Sequence, residues 1–436
     1  MIFQIFYHLL WITAIILLSP VYLYRVLAKK KYRSSTLARF GFQYIPDFRE
    51  QNLIWLHSVS LGESQIANQL AEVLKRKHPH ITLVASSTTE TGQAVLKNSK
   101  HIDFCFYYPF DFSFLIKKLF SRFRPEAIII IETDLWPNLL ALAEAESVPV
   151  FLVNAKISRS SFKRYQALPL AKSVLLNSIE HFYIQCQTYQ QRFLDLNIAP
   201  QICELTGNLK LDRNYSVKNP QELHAFAQQL GLNLQEPVVV FASTHQGEEQ
   251  GFIEVSKNLW KHNSNIQCVI VPRHPERFDE VARLLQKNTI GFQRSSLLLK
   301  QNINASVNKP ICLLVDQMGL LMSIYELCSV AVVAGSFTDK VGGHNIFEPA
   351  FFAKPIIYGP WIYKQPGFHE LIQEQRAAIQ ITDSLWPSSL DQEIMKLLND
   401  RETAESLGAR ALAIVKNSQG STEQVVDDIV KRIILK

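Results

Sequence analysis

Residues 342–348 of the chain read GGHNIFE: two glycines, an imidazole, a carboxamide and, after two large apolar residues, a carboxylate. Adjacent glycines belong where the backbone needs dihedrals closed to other residues, or where a ligand must approach it closely. The stretch follows the apolar run VAVVAGSF, so it reads as a turn that leaves a buried strand and enters a helix. A helix N-terminus behind such a turn suits a phosphate, and Glu348 can accept hydrogen bonds from ribose hydroxyls. Three other polar turns carry related chemistry. HSVSLGES puts Glu63 at the start of an amphipathic helix, with Ser58, Ser60 and Gly62 around it. That carboxylate reads either as a favourable charge in a first helical turn or as a general base beside a ligand. VPRHPERF brings Arg273 and His274 to a strand end, where the guanidinium can clamp a phosphate bidentately or pair with Glu276. ASTHQGEE offers Ser243 and Thr244 as helix caps or as phosphate ligands. His245, Glu248 and Glu249 lack the recurring spacing of zinc ligands, and no metal site is expected there.

These turns need elements to position them. NLIWLHSVSLGESQIANQLAEVLKRKHP reads as strand (53–57), turn and helix; ITLVASSTTETGQAVLKNS repeats the pattern, and the stretch from EAIIII to VNAKIS does so twice more. Ile and Val runs without alternation, each followed by a helix, predict a parallel sheet covered on both faces. A second series begins after TGNLKLD (206–212), with PVVVFAST, IQCVIVP, VAVVAGSF and KPIIYGP as its strands. Two doubly wound, Rossmann-like α/β domains facing each other are therefore expected, with a boundary near 205–215. Ligands of such sheets bind at the carboxyl ends of the strands, which is where the polar turns lie. The final STEQVVDDIVKRIILK reads as an amphipathic helix.

Composition bounds the function. A chain of 436 residues exceeds one ordinary core, and shares of 47% hydrophobic and 19% charged residues describe a folding chain. The net charge of +6 is modest and not gathered into a basic stripe, so no nucleic-acid partner is expected. Six cysteines without a CxxC pair point to free thiols in a reducing compartment. Residues 2–24 are almost wholly apolar and are followed by RVLAKKKYR, five basic residues in nine. About 20 apolar residues can cross a bilayer, and the basic flank predicts that the rest of the chain stays cytoplasmic. A signal peptide fits less well, because the charges follow the apolar region. His8 and Pro20 leave a monotopic anchor as the alternative to crossing.

Seven strings, HSVSLGE, ETDLWPN, TGNLKLD, STHQGEE, VPRHPERF, DQMG and GGHNIFEPA, occur in this order over nearly the whole chain. In them the chain resembles the 3-deoxy-D-manno-oct-2-ulosonic acid (Kdo) transferases of lipid A and lipopolysaccharide core assembly, enzymes of GT-B architecture. The resemblance implies an inverting transfer of Kdo from CMP-Kdo to the 6′-hydroxyl of a lipid A precursor, lipid IVA, on the cytoplasmic side of a bacterial inner membrane. It implies Glu63 as proton acceptor, with Glu132 and Lys210 stabilising the transition state. CMP contacts fall on Pro272 and Arg273, on Met318, Gly319 and Leu320, and on Asn345, Ile346, Phe347 and Glu348. No cofactor is implied; the partners are CMP-Kdo, the lipid A precursor and membrane lipids, whose phosphates Lys29, Lys30, Lys31 and Arg33 can meet. The expected division is an anchor with its basic flank (1–33), an acceptor-binding domain (34–208), a CMP-sugar-binding domain (209–415) and a C-terminal helix (416–436) crossing back to the first domain. Two positions depart from the family pattern: Leu320 where a Glu is common, and Asp134 where a Glu is frequent. Two alternatives stand beside it, another GT-B nucleotide-sugar enzyme such as an epimerase, and a non-catalytic membrane-bound binder. The N-terminal segment argues against the first, and the retention of Glu63, Glu132 and Lys210 against the second.

Overall fold

The computed structural model describes residues 7, 8, 11, 13, 16, 17, 19, 20, 31–213, 215–301, 311–383 and 386–434. The chain forms two units, residues 1–212 with 420–436, and residues 213–419. In the first unit, β1 (Leu53–Ser58), β2 (Thr82–Ser87), β3 (Phe104–Tyr107), β4 (Ala127–Ile131), β5 (Val150–Ala155), β6 (His181–Ile184) and β7 (Cys203–Leu205) make one sheet. Its order is β3-β2-β1-β4-β5-β6-β7, and every pairing is parallel.

The apolar runs explain the layering. Successive side chains of a strand point to opposite faces, and here both faces are covered. Leu53, Trp55, Ile128, Ile130 and Leu152 enter one core, while Ile54, Leu56, Ile129, Ile131 and Val153 enter the other. The helix Leu61–Lys77 covers the second face with Ile66, Leu70 and Leu74, joined there by Val425, Val426, Ile429 and Val430 of the helix Ser421–Ile434. Asp212 fastens this last helix, its carboxylate accepting from the Gly420 amide at 2.9 Å and the Thr422 amide at 2.7 Å. The turn Leu209–Leu211 also belongs to the first unit, because Leu209 is buried in the same core. Lys210 therefore sits in the first unit and not in the domain expected from residue 209.

Among the described residues no helix is long and apolar enough to cross a membrane. The expected anchor, residues 2–24, lies for the most part outside the described residues, and so do Lys29 and Lys30. His8 and Trp11 are described, His8 Nε2 lying 3.0 Å from Asn138 Nδ2 and Trp11 against Phe110 and Trp136.

The second unit repeats the plan with β8 (Val238–Thr244), β9 (Gln267–Pro272), β10 (Gln293–Arg294), β11 (Cys312–Leu314), β12 (Val330–Val333), β13 (Ile356–Tyr358) and β14 (Ile379–Gln380). The order is β10-β11-β9-β8-β12-β13-β14, again all parallel. One expectation fails here. The GGHN turn does not lead into an α-helix; a 3-10 turn, Pro349–Phe352, follows Glu348 and ends at Ala353 with φ 50°. A left-handed residue so soon after the start stops the turn from propagating.

Candidate functional site

The strand order reverses between β1 and β4 in the first sheet and between β8 and β12 in the second. The loops that leave the two strands diverge there and open a crevice at their carboxyl ends. In the first unit that crevice gathers charge. Glu63 lies in the first turn of the helix after β1, while Glu132 and Lys156 are the residues immediately after β4 and β5. Lys210 comes from the Leu209–Leu211 turn, its Nζ 2.8 Å from Glu132 Oε1, and Lys156 Nζ contacts Glu132 Oε2. Glu132 is buried and holds φ at 66°, a left-handed conformation that a side chain adopts only where its surroundings fix it. Burial acts to raise its carboxyl, but Lys210 and then Lys156 outweigh burial and leave it below the usual range.

Glu63 is 6% exposed and closes a capping box. Its Oε2 accepts from the Val59 amide at 2.6 Å and the Ser60 amide at 3.2 Å, while Oε1 accepts from Ser60 Oγ at 2.9 Å. The carboxylate thus lies in the first helical turn as one of the readings expects, and caps it as well. The Asp134 carboxyl lies within reach of these charges and is pushed up to about 7, by burial first and then by Glu63 and Glu132.

A buried network steadies the loop that carries Asp134. Trp136 Nε1 donates to His57 Nε2 at 2.8 Å, which leaves His57 Nδ1 to donate to Ser86 Oγ, also at 2.8 Å. His57 is held neutral, burial pushing it down to about 3. Lys156, Asp134 and His57 had no assigned role in the sequence reading. The available signals were a lysine closing the buried run VFLVNA and a second acid two residues after Glu132.

In the second unit Pro272 ends β9, and the exposed Arg273 follows it with its amide donating to Thr244 O at 3.1 Å. Among the described residues Arg273 makes no ion pair with Glu276; the neighbouring Arg277 instead pairs with the buried Glu249 at 3.0 Å. Met318 and Gly319 form an exposed turn with Gly319 at φ 90°, while the Leu320 side chain packs against the core. Asn345 Oδ1 accepts from the Phe347 amide at 3.1 Å. Ile346 and Phe347 are fully buried, so only their backbone can meet a ligand, and Glu348 is half-buried near Tyr325. Gly342 and Gly343 hold φ at 85° and 88°, and a Cβ on Gly342 would fall 2.5 Å from the Tyr363 ring.

Glu248 is held by the backbone of two loops. Its carboxylate accepts from the amides of His245, Gly335 and Phe337 at 3.0, 2.9 and 2.9 Å, tying the loop after β12 to the loop after β8. Among the described residues His181, Glu204 and Asp428 have metal-ligand spacing, but Asp428 already accepts from Tyr183 Oη at 2.7 Å and Arg432 Nε at 2.6 Å.

Two parallel α/β units, each with polar loops gathered where the strand order reverses, define the GT-B class of nucleotide-sugar enzymes. The crystal structure of Anabaena Alr3699/HepE in complex with UDP shares the fold at a TM-score of 0.60 and 14% identity, over 87% of this chain and 100% of that one. Residues 34–213 match the family model of 3-deoxy-D-manno-octulosonic-acid transferase (kdotransferase). The 3-deoxy-D-manno-octulosonic acid transferase of Haemophilus influenzae is 29% identical over 399 residues, 91% of each chain. That of Chlamydia trachomatis is 27% identical over 429 residues, 98% of this chain and 96% of its own. The chain belongs to the Kdo transferase family of glycosyltransferases.

Proposed function

We propose that the protein moves Kdo from CMP-Kdo to the 6′-hydroxyl of the lipid A precursor lipid IVA, with inversion at the anomeric carbon. The observation that carries this reading is the cluster after β1, β4 and β5, where Glu63 and the raised Asp134 accompany a buried carboxylate, Glu132, held by two lysines. A sugar hydroxyl is a poor nucleophile, and a positioned carboxylate that takes its proton contributes about 10²–10⁴-fold. Glu63 is that acceptor. As the donor bond breaks, the anomeric centre gains positive character, and Glu132 supplies a fixed negative charge that Lys156 and Lys210 keep ionised. The CMP leaving group gains negative charge, which Arg273 of the second unit meets without calling on a metal ion. Residues 2–24 and their basic flank hold the chain at the cytoplasmic face of the inner membrane, where a lipid acceptor exposes its phosphorylated sugars.

The test is Kdo transfer from CMP-Kdo to lipid IVA, weighed by mass spectrometry, for wild type and Glu63→Gln. A loss of at least about 100-fold in the variant, with CMP binding retained, supports the base. Full activity in Glu63→Gln reduces that residue to its capping role. A folded wild type that transfers no Kdo ends the reading. The product masses also count how many Kdo residues are added.

A further inference from the structure

The crevice of the second unit brings His245, on the loop after β8, against His344 of the GGHN turn. Their Nε2 atoms are 2.6 Å apart, while the ring centroids are 4.9 Å apart and the planes 13° from parallel. The nitrogens are closer than the ring centres, so the imidazoles meet edge to edge, one Nε2–H donating and the other Nε2 accepting. His274 crosses His245 with centroids 5.2 Å apart. The frame is tight. A Cβ on Gly335 would lie 2.5 Å from His344 Cδ2, the Gly343 amide donates to Gly335 O at 2.8 Å, and the Lys364 amide donates to Gly342 O at 3.0 Å.

The charges facing this pair have one sign. His274, Arg273 and Lys364 act on both rings, and Arg277 on His245. The nearby carboxylates are committed, Glu248 to three backbone amides and Glu249 to Arg277 and the Thr244 hydroxyl. Among the described residues no ion pair involves Arg273 or Lys364. Either imidazole thus lacks the counter-charge it would need to hold a second proton.

We propose that the edge-to-edge His245–His344 pair, with Arg273 and Lys364, receives the phosphodiester of the donor nucleotide and takes up a proton from solvent as it does so. The inference rests on the CMP-sugar donor reading. Burial first, then the neighbouring cations, hold His245 down at about 4 and His344 at about 3, so both are neutral near pH 7. A phosphodiester monoanion supplies the missing charge and favours the protonated pair, which then titrates as a unit. Binding coupled to proton uptake strengthens as pH falls, by up to about tenfold per pH unit for one proton. The window runs from the pH at which the occupied pair titrates down to about 4, where the free pair begins to hold the proton itself.

Isothermal titration of the intact chain with the methyl ester of CMP is the test, because this diester keeps one negative charge across neutrality. Two buffers of different ionisation enthalpy count the protons. The expected result is uptake approaching one proton per diester near pH 6.5, with affinity rising severalfold from about pH 8 to about pH 6. In His245→Gln and His344→Gln the diester should bind more weakly and without uptake. If either variant fails to fold, the wild-type proton count decides alone. Binding of the diester with no proton uptake would overturn the inference and leave the donor reading standing. Uptake on binding, in a chain that nonetheless transfers no Kdo, would support the anion site while removing the donor reading. No binding by the wild type would remove the inference as well as the CMP donor.

Discussion

Asp134→Asn should change how the stability of the first unit depends on pH. In the folded chain Asp134 stands at about 7 against an ordinary 3.8, raised by burial and by Glu63 and Glu132. That displacement corresponds to roughly 4 kcal/mol. The folded value lies above the unfolded one, so Asp134 in the folded chain keeps its proton between about pH 4 and about pH 7. The cost of ionising Asp134 is absent below that window, grows through it, and is complete above about pH 7. Asn cannot ionise, has nearly the same shape, and its amide can donate to Glu63, so the variant escapes this cost. The stability of Asp134→Asn relative to wild type should therefore rise by up to about 4 kcal/mol from about pH 4.5 to about pH 8, on the order of 10 °C in Tm. Thermal unfolding of both proteins across the range, with the difference taken at each pH, cancels the other titrating groups. A difference that stays flat with pH would refute the raised Asp134. Activity has its own signature: kcat should change through about pH 7 in wild type, as Asp134 beside Glu63 releases its proton, and that limb should be missing in the variant.

Other perturbations probe the remaining contacts. Lys210→Met removes one of two cations on Glu132; Lys156 stays, so the stability loss should be about 1–3 kcal/mol, below that of an emptied buried pair. Its kcat should fall on the order of 10²-fold, as when one preorganised group at an oxyanion is lost. Gly335→Ala forces a Cβ into His344 at φ 73°; it should cost about 1–3 kcal/mol in unfolding measurements and weaken CMP binding in parallel. Asp212→Ala removes the cap of the last helix and should cost about 1 kcal/mol, with faster hydrogen exchange confined to residues 421–434 as the check.

The two sheets were legible because their strands are buried on both faces. A run such as AIIII can only be a fully covered strand, and each polar turn after such a run marks a carboxyl end. Glu63 was legible as a candidate but not as one role, since the same carboxylate caps a helix and touches Asp134. The partners were harder to foresee. Lys156 and Lys210 reach Glu132 from β5 and from beyond β7, a convergence set by strand order that local spacing does not encode. Glu248 carried no role in sequence beyond its lack of zinc-ligand spacing, and in the fold it accepts three amides from two loops. The helix expected after GGHN failed because Ala353 turns left-handed at once. Gly342 and Gly343 pass under Tyr363 and Ile362 with positive φ, which lets His344 reach His245.

The helix Ser421–Ile434 gives the chain an order of completion during synthesis. Domains of a growing chain usually fold in the order they emerge, N-terminal first. Here the helix that carries Glu63 shares its core with Val425, Val426, Ile429 and Val430, which leave the ribosome after the whole second unit. The second unit, residues 213–419, has all its strands in hand before that point. The unit that begins first is thus finished last. A message that stops just short of Ser421 would yield a complete second unit and a first unit with the apolar flank of the Glu63 helix uncovered, a product marked for quality control.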